Sequence, residues 1–452
     1  MWLRSTLPRL ARLAAAIYYR IEYAGAAVPP RGPVLLVANH PNSLLDPMLV
    51  LAASGRPLRF LAKAPLFEDP KVGWLVRAFG SIPVYRAADD PSRMARNDEM
   101  FRAVHAALAA GDAVALFPEG ISHSEPALAP LKTGAARIAI GSSALVGAAF
   151  PLVPVGLVFR DKERFRSRAQ VVVGDPVRWD DLAGRGVHDP EAVRELTERV
   201  ARALAALTVN LESWQDAPVV DTAMAIWAAE EGRTAAPPEE AAWRGITARL
   251  LATVRALGDA EGEQLVRDVS RHARRLARLH LAPGDLHADT DHAAALRWSA
   301  ARLPVVMPLP LLVAAAGWVL FWVPYRLTGW VVGRFPLAPD TRSTWKLLVG
   351  AGVYLVWLVV LAVVAGLGFR WYIGMLVLLA APGVGMLGLR LREHWRGSWR
   401  DLRRWLLLRS RRRLVAGLRD EQRALHARLG RLLERLAPHP QEAHAIPERR
   451  SQ

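Results

Sequence analysis

The stretch of residues 37–47 reads Val37-Ala38-Asn39-His40-Pro41-Asn42-Ser43-Leu44-Leu45-Asp46-Pro47. It begins as an apolar run that predicts a buried strand, which delivers Asn39 and His40 at its end. Asp46 then falls in the first turns of the helix that follows. A histidine at a strand end, facing a carboxylate one turn away, has the geometry of an oriented general base. The same spacing fits a histidine that only caps the turn.

Outward from this stretch, residues 32–215 alternate short apolar runs with helical patterns, which is typical of an α/β domain. The predicted strands are Pro33–Ala38, Leu58–Leu61, Ser81–Val84, Ala113–Phe117, Leu152–Phe159 and Gln170–Val173. Asn42 or Ser43 is expected to cap the helix after the first strand. The chain has no Gly-x-Ser-x-Gly elbow, so His40 would have to activate a hydroxyl of the substrate itself.

Polar residues follow two more of these strands. Arg86 ends the strand over Ser81–Val84 and suits a phosphate through bidentate hydrogen bonds. After the strand over Ala113–Phe117 comes a Pro-Glu-Gly turn, in which Gly120 permits close approach of the backbone. In this turn Glu119 either binds a glycerol hydroxyl or only organises the turn.

The loop after this turn leads to a predicted helix over Thr133–Val146. Lys132 and the free amides at the start of that helix supply positive charge suited to an anion. His123, in the same loop, is expected to be an exposed polar residue. The strand over Leu152–Phe159 is expected to contribute at most one wall of an apolar acyl-chain site.

Composition narrows the function classes. Of 452 residues, 52% are hydrophobic and 22% are charged, which excludes a disordered chain. The absence of cysteine excludes disulfide scaffolds, cysteine nucleophiles, thiolate zinc sites and iron–sulfur clusters. The net charge of +17 implies an anionic partner, which is nucleic acid, an acidic membrane surface or a phosphorylated substrate. Because the sequence has no nucleic-acid-binding signature, phospholipid headgroups explain the charge more simply.

Two uncharged stretches, Leu347–Phe369 and Trp371–Leu389, are each long enough to span a bilayer and predict a tight transmembrane hairpin. The stretch Leu303–Tyr325 is also uncharged, but prolines interrupt it. It is therefore either re-entrant or a span, and two spans in total are favoured. The basic residues of 326–346 and of the tail indicate cytoplasmic segments. The predicted localisation is the cell membrane, multi-pass, with a cytoplasmic catalytic domain.

The end of the chain is strongly basic, since residues 390–452 hold 17 arginines against 7 acidic residues. Leucines recur there at helical spacing, at Leu425, Leu429, Leu432 and Leu436. A solvated basic helix on acidic lipid headgroups is favoured over a short coiled coil. The loop His287–His292 contains metal-ligand residue types, but its Pro and Gly flanks favour a solvated loop, and no metal site is predicted.

In content and order, these stretches resemble the glycerolipid acyltransferase superfamily over roughly residues 30–180. The first block of that family is Asn-His, four residues and Asp, whereas five residues separate His40 from Asp46. This variant is similar to the branch that acts on glycerol-3-phosphate and dihydroxyacetone phosphate. The stretch Phe117-Pro-Glu-Gly-Ile-Ser-His-Ser124 and the stretch Asp340–Lys346 before a membrane span resemble the same branch.

The resemblance implies a mixed α/β sheet with flanking helices and a direct transfer of an acyl group. His40, held by Asp46, would take a proton from the glycerol hydroxyl. The alkoxide would then attack the thioester of acyl-CoA or acyl carrier protein, with no cofactor and no acyl-enzyme. The implied substrate-binding residues are Asn39, Arg86, Glu119, Gly120 and Lys132.

The predicted organisation is an amphipathic N-terminal helix (1–29), an acyltransferase domain (30–215), a helical unit (216–302), a membrane region (303–390) and a basic helical tail (391–452). The predicted function is acylation of glycerol-3-phosphate in phospholipid biosynthesis. The alternatives are 1-acyl-glycerol-3-phosphate or dihydroxyacetone phosphate as acceptor, and a catalytically silent lipid-binding membrane protein. The expected partners are the acyl donor, the acceptor and anionic membrane lipids, with no nucleic acid.

Overall fold

A computed structural model describes residues 2–70, 73–86, 90–232, 237–288, 291 and 308–436. The chain divides into two compact units. The first contains Met1–Leu211, Ala235–Gly245 and Leu337–Thr344, and the second contains Glu212–Thr234, Ile246–Pro336 and Trp345–Gln452. The first boundary lies close to the predicted one at residue 215.

The first unit is built on a seven-stranded sheet. Its strands are β1 (Arg20–Gly25), β2 (Val34–Ala38), β3 (Leu58–Lys63), β4 (Ile82–Val84), β5 (Ala113–Leu116), β6 (Leu152–Phe159) and β7 (Arg168–Val173). Their order across the sheet is β1-β7-β6-β2-β5-β3-β4. All neighbours are parallel except β6 and β7, which are antiparallel. The predicted mixed sheet is confirmed, and each of the predicted strands is present.

The N-terminal prediction needs a correction. Helix α1 spans Trp2–Tyr18 and ends there, because the chain continues as β1, which pairs in parallel with β7. A helix over 1–29 is therefore wrong, and the sheet begins before residue 30. The error arose because Ile21 lies four residues after Ile17 and so continues the helical stripe. In the structure Ile21 and Tyr23 instead pack side by side on the core at strand spacing.

Helices cover both faces of the sheet. They are α2 (Leu45–Ser54), α3 (Pro65–Glu68), α4 (Gly73–Ala78), α5 (Asn97–Ala109), α6 (Gly134–Val146) and α7 (Pro190–Leu207), with a 3₁₀ turn at Pro91–Arg96. Side chains of the central strand β2 alternate between the two faces. Val34 and Leu36 join the core that includes α1 and α2, whereas Leu35 and Val37 join the core that includes α5, α6 and α7.

The parallel strands bring the ends of three motifs to one edge of the sheet. In register, Val37 of β2 pairs with Leu116 of β5, and Lys63 of β3 pairs with Val84 of β4. Because β3 and β5 are also parallel, the residues that follow β2, β5 and β4 emerge at the same carboxyl edge. In open α/β sheets that edge is where ligands bind.

The second unit is helical throughout its described residues. It contains α8 (Ala217–Glu230), the end of α9 (Pro237–Leu257), α10 (Ala260–Arg278), α11 (Pro308–Val332), most of α12 (Arg342–Gly368), α13 (Trp371–Ser410) and α14 (Arg412–Leu436), with 3₁₀ turns at Trp214–Asp216 and Pro283–His287. The helical prediction for the region after residue 216 holds for the part that the structure describes.

The leucines of α14 are not on a solvated helix as expected. Leu425 and Leu432 are buried in a core with Ile226 of α8 and with Leu265 and Val269 of α10. Several arginines of α14 are paired as well, since Arg428 bonds to Asp268 and Arg435 to Asp259 and Glu261. Residues 437–452 lie outside the described structure.

Three helices are long and apolar enough to cross a membrane: Pro310–Val332, Arg342–Gly368 and Trp371–Ser410. None of the most apolar window of α12 is buried inside the protein. This length and this exposed apolar surface are typical of a membrane-spanning helix. Helix α13 has 40 residues and continues past residue 390. The predicted boundary between membrane region and tail therefore falls inside one helix.

Prolines do not interrupt the first of these helices as the sequence suggested. Pro308 and Pro310 lie in the first turn of α11, where the missing N–H groups have no helical partner to lose. Pro324 lies inside the helix, and the hydroxyl of Thr328 bonds to the Pro324 carbonyl at 2.8 Å. The carbonyl that the missing N–H of Pro324 leaves free is that of Leu320, and it accepts the indole N–H of Trp357 instead at 2.8 Å.

Close packing of small residues joins the apolar helices. A Cβ atom on Gly317 of α11 would lie 3.3 Å from the Cα of Gly388 in α13, and one on Gly374 of α13 would lie 2.4 Å from the carbonyl oxygen of Ala362 in α12. The indole of Trp357 donates to the Leu320 carbonyl at 2.8 Å. Glycine contacts and an interhelical hydrogen bond are typical of helices that associate in lipid.

Candidate active site

His40 follows β2 directly and is oriented by Asp46 in the first turn of α2. The Nδ1 atom of His40 lies 2.8 Å from Oδ2 of Asp46. Asp46 is fully buried, whereas 19% of the His40 side chain is exposed. The imidazole also stacks on Phe117, with ring centroids 4.0 Å apart. These contacts fix the ring and leave Nε2, on the side away from Asp46, as the nitrogen that can accept a proton.

Asp46 holds more than the imidazole. Its Oδ2 atom also accepts the main-chain N–H of Asn42 at 2.6 Å. Complete burial raises the pKa of Asp46, while the hydrogen bonds from His40 and Asn42 act in the opposite direction. Within the described residues, the ring of His40 bonds to this carboxylate and not to a main-chain amide of the turn. This is the arrangement of an oriented base rather than of a capping histidine.

The helix cap expected from Asn42 or Ser43 is not formed. The Asn42 amide donates instead to the hydroxyl of Tyr19 at 2.7 Å. Ser43 adopts a left-handed backbone with φ of 49°, and its N–H donates to Oγ of Ser122 at 3.0 Å. The N-cap residue of α2 is the apolar Leu44, whose side chain makes no capping hydrogen bond. The loop is therefore held by residues that are distant in sequence.

Glu119 connects the ends of β2 and β5. Its Oε1 atom accepts the N–H of His40 at 2.8 Å, and Oε2 accepts the N–H of Ala129 at 2.8 Å and bonds to the ring of His123. The residue is only 3% exposed. Both oxygens are thus engaged, which assigns Glu119 to organising the turn rather than to binding a substrate hydroxyl. His123 is mostly buried in this bond, so the expectation that it is exposed is wrong.

Asn39 has a structural contact in place of the predicted substrate contact. Its amide nitrogen donates to the carbonyl of Leu157 at 2.9 Å, and its amide oxygen accepts the N–H of Leu157 at 2.7 Å. This pair of bonds ties the end of β2 to β6. Asn39 therefore positions the next residue, His40, rather than facing the acceptor.

Arg86, Gly120 and Lys132 meet at the same edge of the sheet. The guanidinium of Arg86 donates to the carbonyl of Gly120 at 2.9 Å. Gly120 has φ of 73°, and a Cβ atom there would lie 2.9 Å from Cε and 3.0 Å from Nζ of Lys132. The glycine is therefore required both by its backbone and by the lysine beside it. Two cationic side chains border one turn, an arrangement suited to a phosphate.

Comparisons with known proteins identify the family to which this region belongs. The Acyltransferase family model matches residues 20–158, which contain every one of these motifs. Residues 20–158 are an acyltransferase domain of the glycerolipid acyltransferase superfamily. The superfamily resemblance predicted from the sequence is confirmed, and the match begins at β1 rather than at residue 30.

Individual relatives cover only part of the chain. Glycerol-3-phosphate O-acyltransferase 2 of Saccharomyces cerevisiae is 36% identical over 136 residues, which are 29% of this chain and 18% of the yeast protein. Lyso-ornithine lipid O-acyltransferase of Pseudomonas aeruginosa is 38% identical over 120 residues, 26% of this chain and 42% of that protein. The chain thus spans less than a fifth of the length of the yeast relative.

A solved structure is similar at lower identity. The crystal structure of the 1-acyl-sn-glycerophosphate acyltransferase PlsC from Thermotoga maritima is 19% identical and covers 43% of this chain and 75% of its own, with a TM-score of 0.33.

The first unit contains two supporting residues, Lys162 and Tyr19, that sequence reasoning missed. Lys162, after β6, donates to the Pro41 carbonyl at 2.9 Å and to Oγ of Ser124 at 2.5 Å. Burial lowers the pKa of this lysine, and Asp340, among other acids, opposes that shift. Tyr19 bonds to the Lys162 carbonyl, and burial raises the pKa of its phenol. The sequence signal for Lys162 was the charged run of residues 160–164, which directly follows β6.

Among the described residues, no group of three or more His, Asp or Glu side chains is arranged to hold a metal ion. In the loop His287–His292, His287 pairs with Glu230 at 2.9 Å. Residues 289, 290 and 292 of that loop lie outside the described structure.

Proposed function

We propose that the protein is a membrane-bound O-acyltransferase that moves a fatty acyl group from a thioester donor to a hydroxyl of glycerol-3-phosphate. One observation carries this proposal. The His40–Asp46 pair and the turn bordered by Arg86 and Lys132 lie at the same edge of the sheet, so that one small molecule with a hydroxyl and a phosphate can reach both.

The chemistry follows from the orientation of His40. Its Nε2 atom takes the proton of the acceptor hydroxyl, and the Asp46 carboxylate stabilises the imidazolium that forms. The acceptor oxygen forms a bond to the thioester carbonyl carbon, and the carbon–sulfur bond breaks. The imidazolium returns its proton to the departing thiolate. The products are an ester and a free thiol, and His40 is again neutral.

The cationic turn favours a phosphorylated acceptor. Arg86 is half-buried and already fixed on the Gly120 carbonyl, so little side-chain entropy is lost when it binds an anion. The similarity to the yeast glycerol-3-phosphate enzyme supports glycerol-3-phosphate itself. A 1-acyl-glycerol-3-phosphate or dihydroxyacetone phosphate presents the same phosphate and remains the alternative acceptor. Acyl-CoA or acyl carrier protein supplies the thioester.

Helix α1 gives the acyltransferase domain an apolar contact surface for lipid. Leu10, Leu13 and Ile17 are 53%, 59% and 37% exposed, while the small residues Ala11 and Ala15 are buried on the domain. Large apolar residues thus point outward. With arginines nearby, this pattern is typical of a helix that lies in the membrane interface.

Connectivity supports two membrane crossings rather than three. Residues 337–344 belong to the same compact unit as residues 1–211, so α12 starts on the side of the acyltransferase domain. Helices α12 and α13 cross and return, which brings α14 to that side. Inside the second unit α14 packs against α8 and α10, so these three helices lie on the same side of the membrane. Helix α11 ends on that side, before the start of α12, and in this proposal it lies embedded without crossing.

Charge assigns that side to the cytoplasm. Arg334, Arg342 and the arginine-rich end of α13 lie on it, whereas the tip of the hairpin carries only Arg370. Exposed Trp371 and Tyr372 adjoin that tip, as aromatic residues do at a membrane interface. The acyltransferase domain and the basic tail are therefore cytoplasmic in this proposal.

The activity is tested with the full chain in lipid vesicles by measuring the thiol released from acyl-CoA. The same assay is repeated with acylated acyl carrier protein as the donor. Because the chain has no cysteine, it adds no thiol background. We expect release that depends on glycerol-3-phosphate and a singly acylated product. Release only with 1-acyl-glycerol-3-phosphate or dihydroxyacetone phosphate would replace the acceptor. Release with none of the three would favour the silent lipid-binding protein.

The topology is tested with single cysteines and an impermeant thiol reagent in intact cells. Arg370→Cys should be labelled, whereas Asp180→Cys in the first unit and Gly284→Cys before α11 should both be shielded. Gly284 is exposed and has open space around it, so the substitution is tolerated. Labelling at 284 but not at 180 would show that α11 crosses the bilayer.

A further inference from the structure

The first turn of α12 belongs to the first unit, which contains the candidate active site. The rest of this helix is apolar and belongs to the second unit. Three consecutive residues of that first turn make contacts. The guanidinium of Arg342 bonds to Glu163 at 2.8 Å, Oγ of Ser343 donates to the Lys162 carbonyl at 2.5 Å, and Oγ1 of Thr344 accepts the N–H of Leu44 at 3.2 Å. All three contacts reach the loops that surround His40.

These contacts differ in strength. The Arg342–Glu163 pair is largely solvent-accessible, with side chains 42% and 31% exposed, and such pairs contribute little. Ser343 is fully buried and Thr344 is 9% exposed. Hydrogen bonds at buried positions cost more to lose, because the partner is left without water. The serine and the threonine therefore carry the interaction.

Thr344 supplies the hydrogen-bond acceptor that is missing at the N-terminus of α2. The N-cap residue of α2 is Leu44, whose side chain cannot accept a hydrogen bond. The first N–H groups of a helix have no partner within it. The Thr344 hydroxyl accepts one of these N–H groups, two residues before Asp46. It thereby closes the N-terminus of the helix that carries the catalytic carboxylate.

Ser343 acts on the same loop through Lys162. The carbonyl of Lys162 accepts the hydroxyls of both Ser343 and Tyr19. The ammonium group of Lys162 holds the Pro41 carbonyl and the Ser124 hydroxyl. Ser343 thus fixes the residue that joins the loop after β2 to the loop after β5.

We propose that Ser343 and Thr344 are positioning residues, which hold the loop of residues 41–46 so that Asp46 presents His40 to the acceptor. The inference rests on the proposed function for its catalytic consequence. Its structural part, the support of the loop by the start of α12, stands on the hydrogen bonds alone. The hydroxyls of two residues in the first turn of α12 thus help to set the position of His40.

The decisive variant is Thr344→Val, which keeps the shape of the side chain and removes the acceptor. We expect kcat to fall about ten- to a hundredfold, because small misplacement of a catalytic group has effects of this size. The KM values for donor and acceptor should change less than about twofold. Thr344→Ser should restore most of kcat. The matched control is Thr341→Val, since the exposed Thr341 hydroxyl bonds to the nearby Ala338 carbonyl and, within the described residues, makes no contact with the loop of residues 41–46.

A second readout does not depend on turnover. Hydrogen exchange of the peptide that contains Leu44 should be faster in Thr344→Val than in the wild type, and unchanged in Thr341→Val. Exchange and kcat that both match the wild type would overturn the inference. A wild-type protein inactive on every acceptor would count against the proposed function, and the exchange measurement alone would then decide whether Thr344 holds the loop.

Discussion

Each unit of the molecule contains a histidine paired with a buried or nearly buried carboxylate, and the two pairs differ in what surrounds them. His40 and Asp46 lie 2.8 Å apart at the end of a strand, and His287 and Glu230 lie 2.9 Å apart between helices. Burial raises the pKa of Asp46. Burial would also raise the pKa of Glu230, but hydrogen bonds from Gln422 and His287 lower it below the usual value.

The difference separates a reactive pair from a structural one. Among the described residues, Oδ1 of Asp46 is buried without a hydrogen-bond partner, and Nε2 of His40 is turned away from the carboxylate. Glu230 is instead engaged by Gln422 at 2.7 Å as well as by His287. An incompletely satisfied carboxylate behind an oriented histidine is costly to stability and useful for catalysis. The pairing distance alone does not distinguish the two.

The largest expected effect comes from removing the two histidines in turn. His40→Ala should lower kcat about 10²–10⁴-fold, because general-base catalysis contributes a factor of this size and no other side chain replaces the ring. His287→Ala, the matched variant in the other pair, should leave kcat unchanged. Thiol release from acyl-CoA measures both. Turnover near the wild-type rate in a folded His40→Ala protein would contradict the mechanism.

Asp46→Asn should separate activity from stability. We expect kcat to fall about 10²-fold, because an amide cannot stabilise the imidazolium. Stability should move the other way. Since the folded pKa of Asp46 is raised, ionisation of this group costs folding free energy above its unfolded pKa of about 3.9.

The sign of that effect can be measured as a function of pH. The Tm of Asp46→Asn should exceed that of the wild type near pH 7. The difference should shrink as the pH falls and vanish below about pH 3.9, where the aspartic acid is protonated in both states. A variant less stable than the wild type at neutral pH would show that the hydrogen bonds from His40 and Asn42 outweigh burial.

The His40–Asp46 pair lies beside a turn bordered by Arg86 and Lys132, and Arg86→Ala tests whether this turn binds the phosphate of the acceptor. The KM for the phosphorylated acceptor should rise about tenfold or more, as expected for loss of a charge-assisted hydrogen bond. The KM for the acyl donor should stay within about twofold. A matched control is Arg59→Ala, at an arginine that pairs with Asp112 at 2.6 Å. A change confined to the donor KM would reassign Arg86.

Sequence reasoning worked where the determinants are local. A strand, a histidine and an aspartate six positions later lie in one stretch, and parallel strands must bring their ends to one edge. The cationic turn was found for the same reason, because Gly120 and Lys132 follow one strand. The apolar helices were found from length alone, although prolines hid the continuity of α11.

The parts that were missed depend on contacts between distant residues. Asn39 bonds to Leu157, 118 positions away, and Leu44 to Thr344, 300 positions away. Spacing in one sequence carries no record of such pairs. Glu119 is similar, since only its neighbours in space show that both oxygens are engaged. Asn39 and Glu119 were therefore found as residues of the site, but their supporting roles were not.

Glu230→Gln gives the smallest effect and completes the comparison. Because the folded pKa of Glu230 is lowered, its ionised form stabilises the fold above the unfolded pKa of about 4.3. The substitution should therefore cost about 1 kcal/mol at neutral pH, the scale of a typical net hydrogen bond, because the glutamine oxygen can still accept one. The loss should disappear as the pH falls through the folded pKa, because the wild-type carboxylate is then protonated as well. The pH dependence is thus opposite in sign to that of Asp46→Asn, while kcat stays at the wild-type value. Thermal unfolding of both variants across the same pH series measures the two signs together, and equal signs would remove the distinction between a reactive and a structural pair.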